Sequence, residues 1–383
     1  GKNMRKTVGI ITFHDSINYG ALLQAYALQS YIQSLGFEVD IINYKNKERT
    51  FAQVKGLKKI RSIIWKKTFY NLFNSKKRLE RTNKFINDNL NISKKMYLNS
   101  KDIIENPPIY DYYITGSDQV WNPRNNNKDF TYWLAFVPEG KKRISYAPSF
   151  GLSNPGDEYL KECVKYIKKF DNISIRENEG KDILRKYYSI DADVVLDPTF
   201  LVPINKWNNI IPKKAFREHY ILCYFMPGDE KVTNKIKDMS KIISSQTGYE
   251  IINIGKKEYD KIKFWEKNKF DCGPIEFLNL IKNADYIITN SFHGTAFSII
   301  FNKTFWVPIH QTLDASKALH SRLTNLLHSL NLEECIQSVD SSFVFDKHYT
   351  LNYKNANNLL ADLQGKSKKY LKNALEIEND RIM

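Results

Sequence analysis

The fold is decided by the stretch Asp285-Tyr-Ile-Ile-Thr-Asn-Ser-Phe-His-Gly-Thr-Ala-Phe-Ser-Ile-Ile-Phe301. Residues 286–289 are apolar and β-branched and predict a buried strand, whereas residues 295–301 predict a buried helix. Open α/β sheets bind ligands at such strand-to-helix junctions, where the helix presents unpaired N–H groups to an anion. His293 lies at this junction and can exchange a proton near neutral pH. It either caps the helix or belongs to a ligand site.

The rest of the chain shows the same alternation of strands and helices, arranged in two series. Strands of the first series are predicted at residues 7–13, 37–43, 110–115, 143–147, 173–176 and 193–198. Strands of the second series are predicted at residues 220–225, 250–254, 286–289 and 304–309. Helices are predicted at residues 21–35, 177–187, 230–243, 274–283, 295–301 and 322–330. The two series indicate an α/β protein with two Rossmann-like domains facing a central cleft.

The length of 383 residues also favours two domains. A proline-containing stretch, residues 198–212, separates the two series. The first Rossmann-like domain is therefore predicted at residues 4–205, with a basic helical insertion at about 45–102. The second is predicted at residues 206–345 and is followed by a C-terminal helical tail at 346–383.

The net charge of +16 predicts attraction to an anionic partner. Much of the excess lies between residues 45 and 101, and segment 58–78 mixes large apolar side chains with basic ones. That composition is typical of a helix on a membrane surface. The interpretation that we favour is a helix that packs its apolar face on its own domain and exposes a basic face. Nucleic acid is not an expected partner, because no nucleic-acid-binding module is recognisable.

The sequence predicts a cytoplasmic protein, with peripheral membrane contact through segment 58–78 as an open alternative. No apolar run approaches the length of a membrane span, and no signal peptide is apparent. The cysteines are far apart and lack a Cys-x-x-Cys pair, which suits a reduced chain and not a disulfide framework or zinc site. They are Cys163, Cys223, Cys272 and Cys335. No metal site is expected.

Several well-known catalytic motifs are absent from the sequence, including G-x-G-x-x-G, the Walker loop, H-E-x-x-H and G-x-S-x-G. Polar loops after the predicted strands remain as candidates. Asn18 and Gly20 precede a helix, where they could approach a ligand or form an ordinary cap and turn. Ser117 and Asp118 follow a strand, where they could bind sugar hydroxyls or phosphate, or cap a helix.

Arg176 ends a predicted strand whose apolar neighbours indicate that the base of its side chain is buried. A partly buried arginine needs an anionic partner. Glu177, Asp197 or a ligand could fill that role. Trp121 could stack on a sugar ring or belong to the core.

Together these loops resemble the polysaccharide pyruvyl transferase family over about residues 7–330. The motifs that carry the resemblance are Asn18-Tyr-Gly-Ala-Leu-Leu-Gln24, Thr115-Gly-Ser-Asp-Gln-Val-Trp-Asn122, Ser145-Tyr-Ala147, Ser174-Ile-Arg-Glu177, Val195-Leu-Asp-Pro198 and Ser291-Phe-His-Gly294. Each motif is weak alone, but their order along the chain is specific. The basic insertion and the tail lie outside the resemblance.

The resemblance implies a glycosyltransferase-B-like fold. It also implies a transferase that moves the enolpyruvyl unit of phosphoenolpyruvate onto a pair of sugar hydroxyls, giving a pyruvate ketal. The acceptor would be a cell-surface polysaccharide of a bacterium or its lipid-linked precursor. Phosphoenolpyruvate is then a donor substrate, and no cofactor is implied.

The resemblance also implies roles for individual residues. Arg176 matches an arginine that holds phosphoenolpyruvate, and His293 matches the histidine of the C-terminal site. His293 is expected to act as general acid or base, and Asp118 to orient or deprotonate the acceptor hydroxyl. The expected substrate-binding residues are Arg176, Asn18, Gly20, Ser117, Ser291, Gly294 and Arg322.

The sequence departs from the family pattern at Ser291, where related proteins carry the arginine of Arg-x-His. A serine cannot supply a bidentate charge. Either another base, Arg322 or Lys303, replaces that arginine, or the donor differs. The alternatives are a nucleotide-sugar glycosyltransferase of the same fold and a non-catalytic glycan- or membrane-binding protein.

Overall fold

The computed structural model describes residues 4–46, 68–226, 228–254, 267–268, 271–310 and 318–378, with the backbone alone at 68–75, 267–268 and 318–320. The chain forms two compact units. Unit 1 comprises residues 1–59, 89–202 and 361–383, and unit 2 comprises residues 60–88 and 203–360. Each unit contains its own parallel β-sheet.

The described strands and helices are numbered in chain order. The strands are β1 (Thr7–Ile11), β2 (Glu38–Ile41), β3 (Tyr112–Thr115), β4 (Lys142–Ser145), β5 (Ser174–Ile175), β6 (Asp193–Val194), β7 (Tyr220–Tyr224), β8 (Glu250–Ile254), β9 (Lys267–Asn268), β10 (Tyr286–Thr289), β11 (Thr304–Ile309) and β12 (Ile336–Ser338). The helices are α1 (Tyr19–Ser34), α2 (Thr68–Asn89), α3 (Ser100–Glu105), α4 (Pro123–Asn126), α5 (Asp157–Ile167), α6 (Asn178–Tyr188), α7 (Ile204–Ile210), α8 (Glu230–Thr247), α9 (Pro274–Asn283), α10 (Phe292–Ile300), α11 (Ala318–Ser329) and α12 (Lys354–Ala374). Short 3₁₀ helices occupy Phe130–Trp133, Pro198–Leu201 and Glu333–Cys335.

The sheet of unit 1 has the strand order β2-β1-β3-β4, and every neighbouring pair is parallel. Strands β5 and β6 form a separate parallel pair. Ile11 is in register with Thr115, and Thr115 with Ser145. The loops that follow these residues therefore leave the same edge of the sheet, the edge where α/β proteins bind ligands.

Helix α1 is buried on every side over most of its length, which explains why its sequence contains no charged residue. All of its residues from Tyr19 to Ile32 are buried. The helix begins after Asn18, whose side chain accepts the amide of Ala21 at 3.1 Å. It ends before Gly36, which has a φ of +96° and confirms the predicted C-terminal glycine.

Most of helix α12, which lies in the segment 346–383 predicted as a C-terminal helical tail, belongs to unit 1. The Ser367 hydroxyl accepts the Leu196 amide at 2.9 Å, and the Tyr370 hydroxyl donates to the Ser145 carbonyl at 2.7 Å. Leu371 is fully buried. The helix is polar on average because only one face enters the core.

The sheet of unit 2 has the strand order β12-β11-β10-β7-β8-β9, again with parallel neighbours. Its central strand β7 is buried at every position, as its apolar sequence requires in a sheet covered on both faces. Tyr224 and Thr289 are in register at the ends of β7 and β10. The loops after them therefore start side by side.

Helix α2 packs within unit 2, although the sequence placed it in an insertion of the first domain. Arg81 lies 3.1 Å from Asp271 and 3.5 Å from Glu276, and Lys77 lies 3.7 Å from Asp271. A Cβ atom on Gly273 would come within 2.7 Å of the Arg81 Cβ, so the backbones are in close contact. Much of the basic segment 58–78 falls outside the described residues.

The four cysteines are buried, and none of them forms a disulfide bond. Burial raises the pKa of the Cys163, Cys223 and Cys335 thiols, which keeps them protonated and poorly nucleophilic. Within the described part of the chain, no helix combines the length and the apolar character needed to cross a membrane.

Candidate active site

The first loop of unit 1 places Asn18 and Gly20 at the start of α1. The Asn18 side-chain oxygen is already used to cap the helix through the Ala21 amide. Gly20 is buried in the first helical turn. The observed geometry is therefore the cap that the sequence allowed as an alternative.

The loop after β3 places Ser117 in the interior and Asp118 at the surface edge. Ser117 is fully buried; its hydroxyl donates to the Ala147 carbonyl at 2.6 Å, and its amide donates to the Gln24 Oε1 at 3.0 Å. These bonds fix the loop. Asp118 adopts a φ of +64°, and 15% of its side chain is exposed. Asp118 is thus the residue of this pair that can reach a ligand.

Gly116 allows this loop to pass close to the neighbouring strand end. Its φ is +119°, and a Cβ atom there would lie 2.1 Å from the Tyr146 carbonyl oxygen. Any other residue would be strained and would clash with backbone. Trp121, further along, is fully buried and stacks on Trp133 at 4.1 Å, so it belongs to the core.

Arg176 lies at the centre of three carboxylates. Its Nη1 is 2.9 Å from the Asp197 Oδ2 and 3.9 Å from the Asp118 Oδ1, while its Nε is 3.6 Å from the Glu177 Oε1. Only 2% of the arginine side chain is exposed. Both intramolecular partners suggested by the sequence, Glu177 and Asp197, are therefore present.

The cluster carries three formal negative charges against one positive charge. Burial alone would lower the pKa of Arg176, but the charges of Glu177, Asp197 and Asp118 outweigh it and raise that pKa. Asp197 also accepts the Thr199 amide at 3.0 Å. Two of the acids are more deeply buried than Asp118, so Asp118 is the acid of this cluster nearest to solvent.

In unit 2, the loop that connects β10 to α10 positions His293. Ser291 caps the helix: its Oγ accepts the Gly294 amide at 3.2 Å, so this amide is already bonded. Asn290 clamps the neighbouring loop, accepting the Met226 amide at 2.6 Å and donating to the Met226 carbonyl at 3.0 Å. His293 is the second residue of the helix and is 8% exposed. We call residues 290–294 the His293 loop.

Gly294 makes the tight packing of the His293 loop possible. A Cβ atom at this position would lie 2.5 Å from the Thr289 Oγ1 and 3.0 Å from the Tyr224 Cδ1. Since Thr289 and Tyr224 end adjacent strands, the glycine allows the helix to begin directly above both.

Tyr224 links the His293 loop to helix α2. Burial raises the pKa of Tyr224 to about 12, although the positive charge of Arg78 and a hydrogen bond with Ser291 both act to lower it. Arg78, in α2, is itself only 7% exposed. The sequence did not single out either residue, because the contact joins segments far apart in the chain.

The two bases considered as replacements for an arginine at position 291 occupy different places. Lys303 follows the C-terminal end of α10, where its ammonium donates to the Lys282 carbonyl at 2.8 Å. It is therefore at the wrong end of the helix to serve the His293 loop. Arg322 is buried on α11, which packs against α10.

A second histidine at the same edge of this sheet was missed by the sequence reasoning. His310 directly follows β11, and its Nε2 lies 2.5 Å from the Asp229 carboxylate, which also caps α8. Its position after a buried strand was the signal that could have revealed it. Among the described residues, no group of three or more acidic, histidine or cysteine side chains is arranged to hold a metal ion.

A surface depression of about 510 Å³ in unit 1 lies beside α5 and α6. It is lined by residues such as Asp157, Glu179 and Tyr187. Neither Asp118 nor Arg176 lines it. The structure thus assembles Asp118 and Arg176 in unit 1, and Ser291, His293 and Gly294 in unit 2.

The motif-bearing loops fall inside a single match to a known protein family. The model of the polysaccharide pyruvyl transferase family matches residues 18–307, about three quarters of the chain. The chain belongs to the polysaccharide pyruvyl transferase family. This confirms the resemblance drawn from the sequence and makes the protein a member of a transferase family. The matched range includes Asn18, Asp118, Arg176 and His293, but not Arg322.

Two solved structures resemble this member of the pyruvyl transferase family in fold. The Staphylococcus aureus MnaA–UDP structure is 11% identical, with 99% of each chain covered and a TM-score of 0.52. The Arabidopsis thaliana UGT89C1 complex with UDP-L-rhamnose is 10% identical, with 98% of this chain and 99% of that chain covered and a TM-score of 0.49. The first likeness confirms the predicted α/β, glycosyltransferase-B-type fold with Rossmann-like sheets. No curated protein sequence matches the chain.

Proposed function

We propose that the protein transfers the pyruvyl group of phosphoenolpyruvate to two hydroxyls of a saccharide, either a cell-surface polysaccharide or its lipid-linked precursor. The observation that carries the proposal is the family match over residues 18–307, which contains both Asp118 and His293. The buried loops that hold these two side chains support it, because catalytic groups need fixed positions.

In the proposed reaction, a proton adds to the methylene carbon of the donor, and C2 becomes electrophilic. One sugar hydroxyl oxygen bonds to C2 and releases its proton. The bond between C2 and the bridging oxygen breaks, and phosphate leaves with that oxygen and the electron pair. The second hydroxyl then bonds to C2 and releases its proton. The two released protons balance the one on the new methyl group and the one carried by phosphate.

We assign the proton transfers to His293 and Asp118. His293 sits in the first turn of α10, where the helix dipole favours a bound anion, and serves as the general acid that protonates the methylene. Asp118 is held at the Arg176 cluster with part of its carboxylate exposed, and accepts the proton of the attacking hydroxyl. General acid–base catalysis of this kind contributes roughly 10²- to 10⁴-fold in rate.

The test is a phosphate-release assay that depends on phosphoenolpyruvate, run against free and lipid-linked saccharides. We expect His293→Ala to lower turnover by roughly 10²-fold or more while leaving the melting temperature within a few degrees. His328→Ala is the matched control, because His328 is an exposed histidine that pairs with Glu333 at 2.9 Å. Turnover near the wild-type rate in His293→Ala would refute the assigned role.

A nucleotide sugar is the alternative donor, because Ser291 stands two residues before His293, where the family resemblance implies an arginine. With that donor the enzyme is a nucleotide-sugar glycosyltransferase. Thermal unfolding in the presence of phosphoenolpyruvate or of nucleotide sugars separates the two functions. Stabilisation by a nucleotide sugar alone would favour the alternative.

The proposed acceptor also suits an enzyme that works at the cytoplasmic face of a membrane. The net charge of +16 and the basic segment 58–78 support contact with anionic lipid. Co-sedimentation with anionic vesicles, with and without that segment, tests the contact. Equal binding by both forms would exclude the segment as the membrane anchor.

A further inference from the structure

The proposed reaction requires more proton transfers than His293 and Asp118 provide. The methylene carbon and the departing phosphate each gain a proton, and each of the two sugar hydroxyls loses one. His293 and Asp118 account for the methylene and for the first hydroxyl. A phosphate dianion that left without a proton would be a trianion, which is a poor leaving group. The departing phosphate and the second hydroxyl therefore still need a general acid and a general base.

The pair formed by His310 and Asp229 has the chemistry for both transfers. The His310 Nε2 lies 2.5 Å from the Asp229 Oδ2, and the Asp229 Oδ1 accepts the Val232 amide at 3.2 Å. Burial alone would raise the pKa of Asp229, but hydrogen bonds from His310 and from backbone amides outweigh it and lower that pKa. Asp229 is therefore a carboxylate at neutral pH, and both of its oxygens are held in place.

This contact decides which ring nitrogen of His310 exchanges protons. A carboxylate can only accept hydrogen bonds, so the proton between the two side chains belongs to Nε2. Nδ1 then carries the lone pair of the neutral ring and the second proton of the charged ring. A carboxylate that holds one nitrogen of a histidine in this way orients the ring and fixes its tautomer. The His310 side chain is 19% exposed, so part of the ring is accessible.

The order of the strands places the pair beside the His293 loop. Strand β10 lies between β11 and β7. His310 is the residue after β11, and Asp229 belongs to the loop after β7, so their contact joins the two loops on either side of the end of β10. The His293 loop leaves from that end, and its residue Asn290 bonds Met226, three residues before Asp229, at 2.6 and 3.0 Å. His310 and His293 therefore share the same edge of the sheet.

We infer that His310 is a second acid–base residue of the reaction and that Asp229 is its positioning residue. The inference rests on the proposed function. The charged His310 donates its Nδ1 proton to the bridging oxygen while the bond between C2 and that oxygen breaks, and phosphate leaves with the electron pair. The neutral Nδ1 then accepts the proton of the second hydroxyl as its oxygen bonds to C2. His310 thus ends the cycle as it began, and water takes the proton from Asp118 and returns one to His293.

The first experiment is the phosphate-release assay with His310→Gln. A glutamine amide nitrogen can replace Nε2 as the donor to Asp229, so the contact is kept while the exchangeable proton of Nδ1 is lost. We expect kcat to fall by roughly 10²-fold or more, with a much smaller change in the KM for phosphoenolpyruvate and in Tm. His219→Gln is the matched control and should retain wild-type turnover. His219 lies 3.1 Å from Asp285, but it precedes β7 and is therefore at the opposite edge of the same sheet.

Deuterium exchange separates the role of His310 from that of His293. In deuterated water, reversal of the first addition returns phosphoenolpyruvate with deuterium on its methylene carbon. His310→Gln should still catalyse this exchange, because it blocks only the later loss of phosphate, whereas His293→Ala should abolish it. The adduct of donor and acceptor should also accumulate in His310→Gln, where mass spectrometry detects it.

Asp229→Asn tests the positioning role. Asparagine can still cap α8, but its amide can either accept from Nε2 or donate to it, so the His310 ring loses its fixed tautomer. Turnover should fall to a value between those of the wild type and His310→Gln. The nitrogen-15 chemical shifts of the ring report which nitrogen is protonated, and we expect Nε2 in the wild type and a mixture in Asp229→Asn. A neutral wild-type ring protonated at Nδ1 would overturn the inference.

The outcomes separate this inference from the proposed function. If the wild type releases no phosphate from phosphoenolpyruvate, the proposed function fails and the inference fails with it. If the wild type is active but His310→Gln turns over at the same rate, or loses exchange and turnover together, only the inference fails. Loss of turnover with the exchange retained is the result that supports it.

Discussion

Replacing Arg176 with methionine tests how strongly the unit 1 cluster depends on its guanidinium. Methionine keeps most of the side-chain volume but removes the charge. The Asp197 and Glu177 side chains, 0% and 6% exposed, then remain buried without their cation. Removing one partner of a buried ion pair costs about 3–5 kcal/mol.

That loss is large on the scale of protein stability, since a typical domain has a free energy of unfolding of about 5–15 kcal/mol. For a domain of 150–250 residues it corresponds to a fall of about 6–20 °C in Tm. Urea denaturation and calorimetry measure it directly. Arg185→Met is the control: Arg185 pairs with Asp191 at 3.0 Å, but 61% of its side chain is exposed, so the change should leave the free energy of unfolding nearly unchanged.

A double variant distinguishes charge from packing. Asp197→Asn keeps an oxygen that can accept a hydrogen bond from the Thr199 amide. It also removes one of the two buried negative charges, those of Asp197 and Glu177, that the loss of Arg176 leaves without a cation. In the Arg176→Met background it should restore roughly 1–3 kcal/mol, whereas in the wild type it should destabilise. A loss below about 1 kcal/mol in Arg176→Met, or no recovery in the double variant, would refute the reasoning.

Three further substitutions test other contacts, each by urea denaturation. Gly294→Ala should cost about 1–3 kcal/mol because its Cβ would meet neighbours at 2.5 and 3.0 Å, whereas Gly365→Ala, with open space around it, should be neutral or stabilising. Tyr370→Phe removes the hydrogen bond to the Ser145 carbonyl and should cost about 1 kcal/mol. Because the folded pKa of Tyr224 is raised to about 12, the stability due to its neutral form is complete below pH 10 and is lost as pH rises toward 12. Tyr224→Phe should therefore lose stability less steeply than the wild type over that interval; identical slopes would contradict the expected contribution.

Local features of the chain were predictable from the sequence. Strands β8, β10 and β11 and helix α9 occupy the predicted residues, because apolar runs and the proline at the start of α9 are local signals. Helix α10 begins at Phe292, earlier than the predicted 295, since Ser291 and not Gly294 provides the boundary. Helix α5 was missed: its apolar positions are interspersed with charged ones, and Gly156 precedes it without a side-chain cap.

Contacts between distant segments were not predictable in the same way. Glu177 could be named as a partner of Arg176 because it is the next residue, and Asp197, 21 residues later, because it ends the next predicted strand. The packing of Arg81 against Asp271 joins residues separated by 190 positions, and no periodicity encodes such a contact. For the same reason Arg78 and the His310–Asp229 pair entered the description of unit 2 only through the structure.

The return of helix α12 to unit 1 has a consequence for synthesis of the protein. The Leu196 amide cannot donate its hydrogen bond to the Ser367 hydroxyl until that residue, 171 positions later in the chain, has been synthesised. At about 5–20 residues per second, that delay is roughly 10–35 s on the ribosome. Unit 1 therefore cannot be completed until helix α12 has been synthesised. A nascent chain that ends before α12 would therefore leave exposed the parts of unit 1 that α12 later contacts, and we expect chaperones to bind such chains.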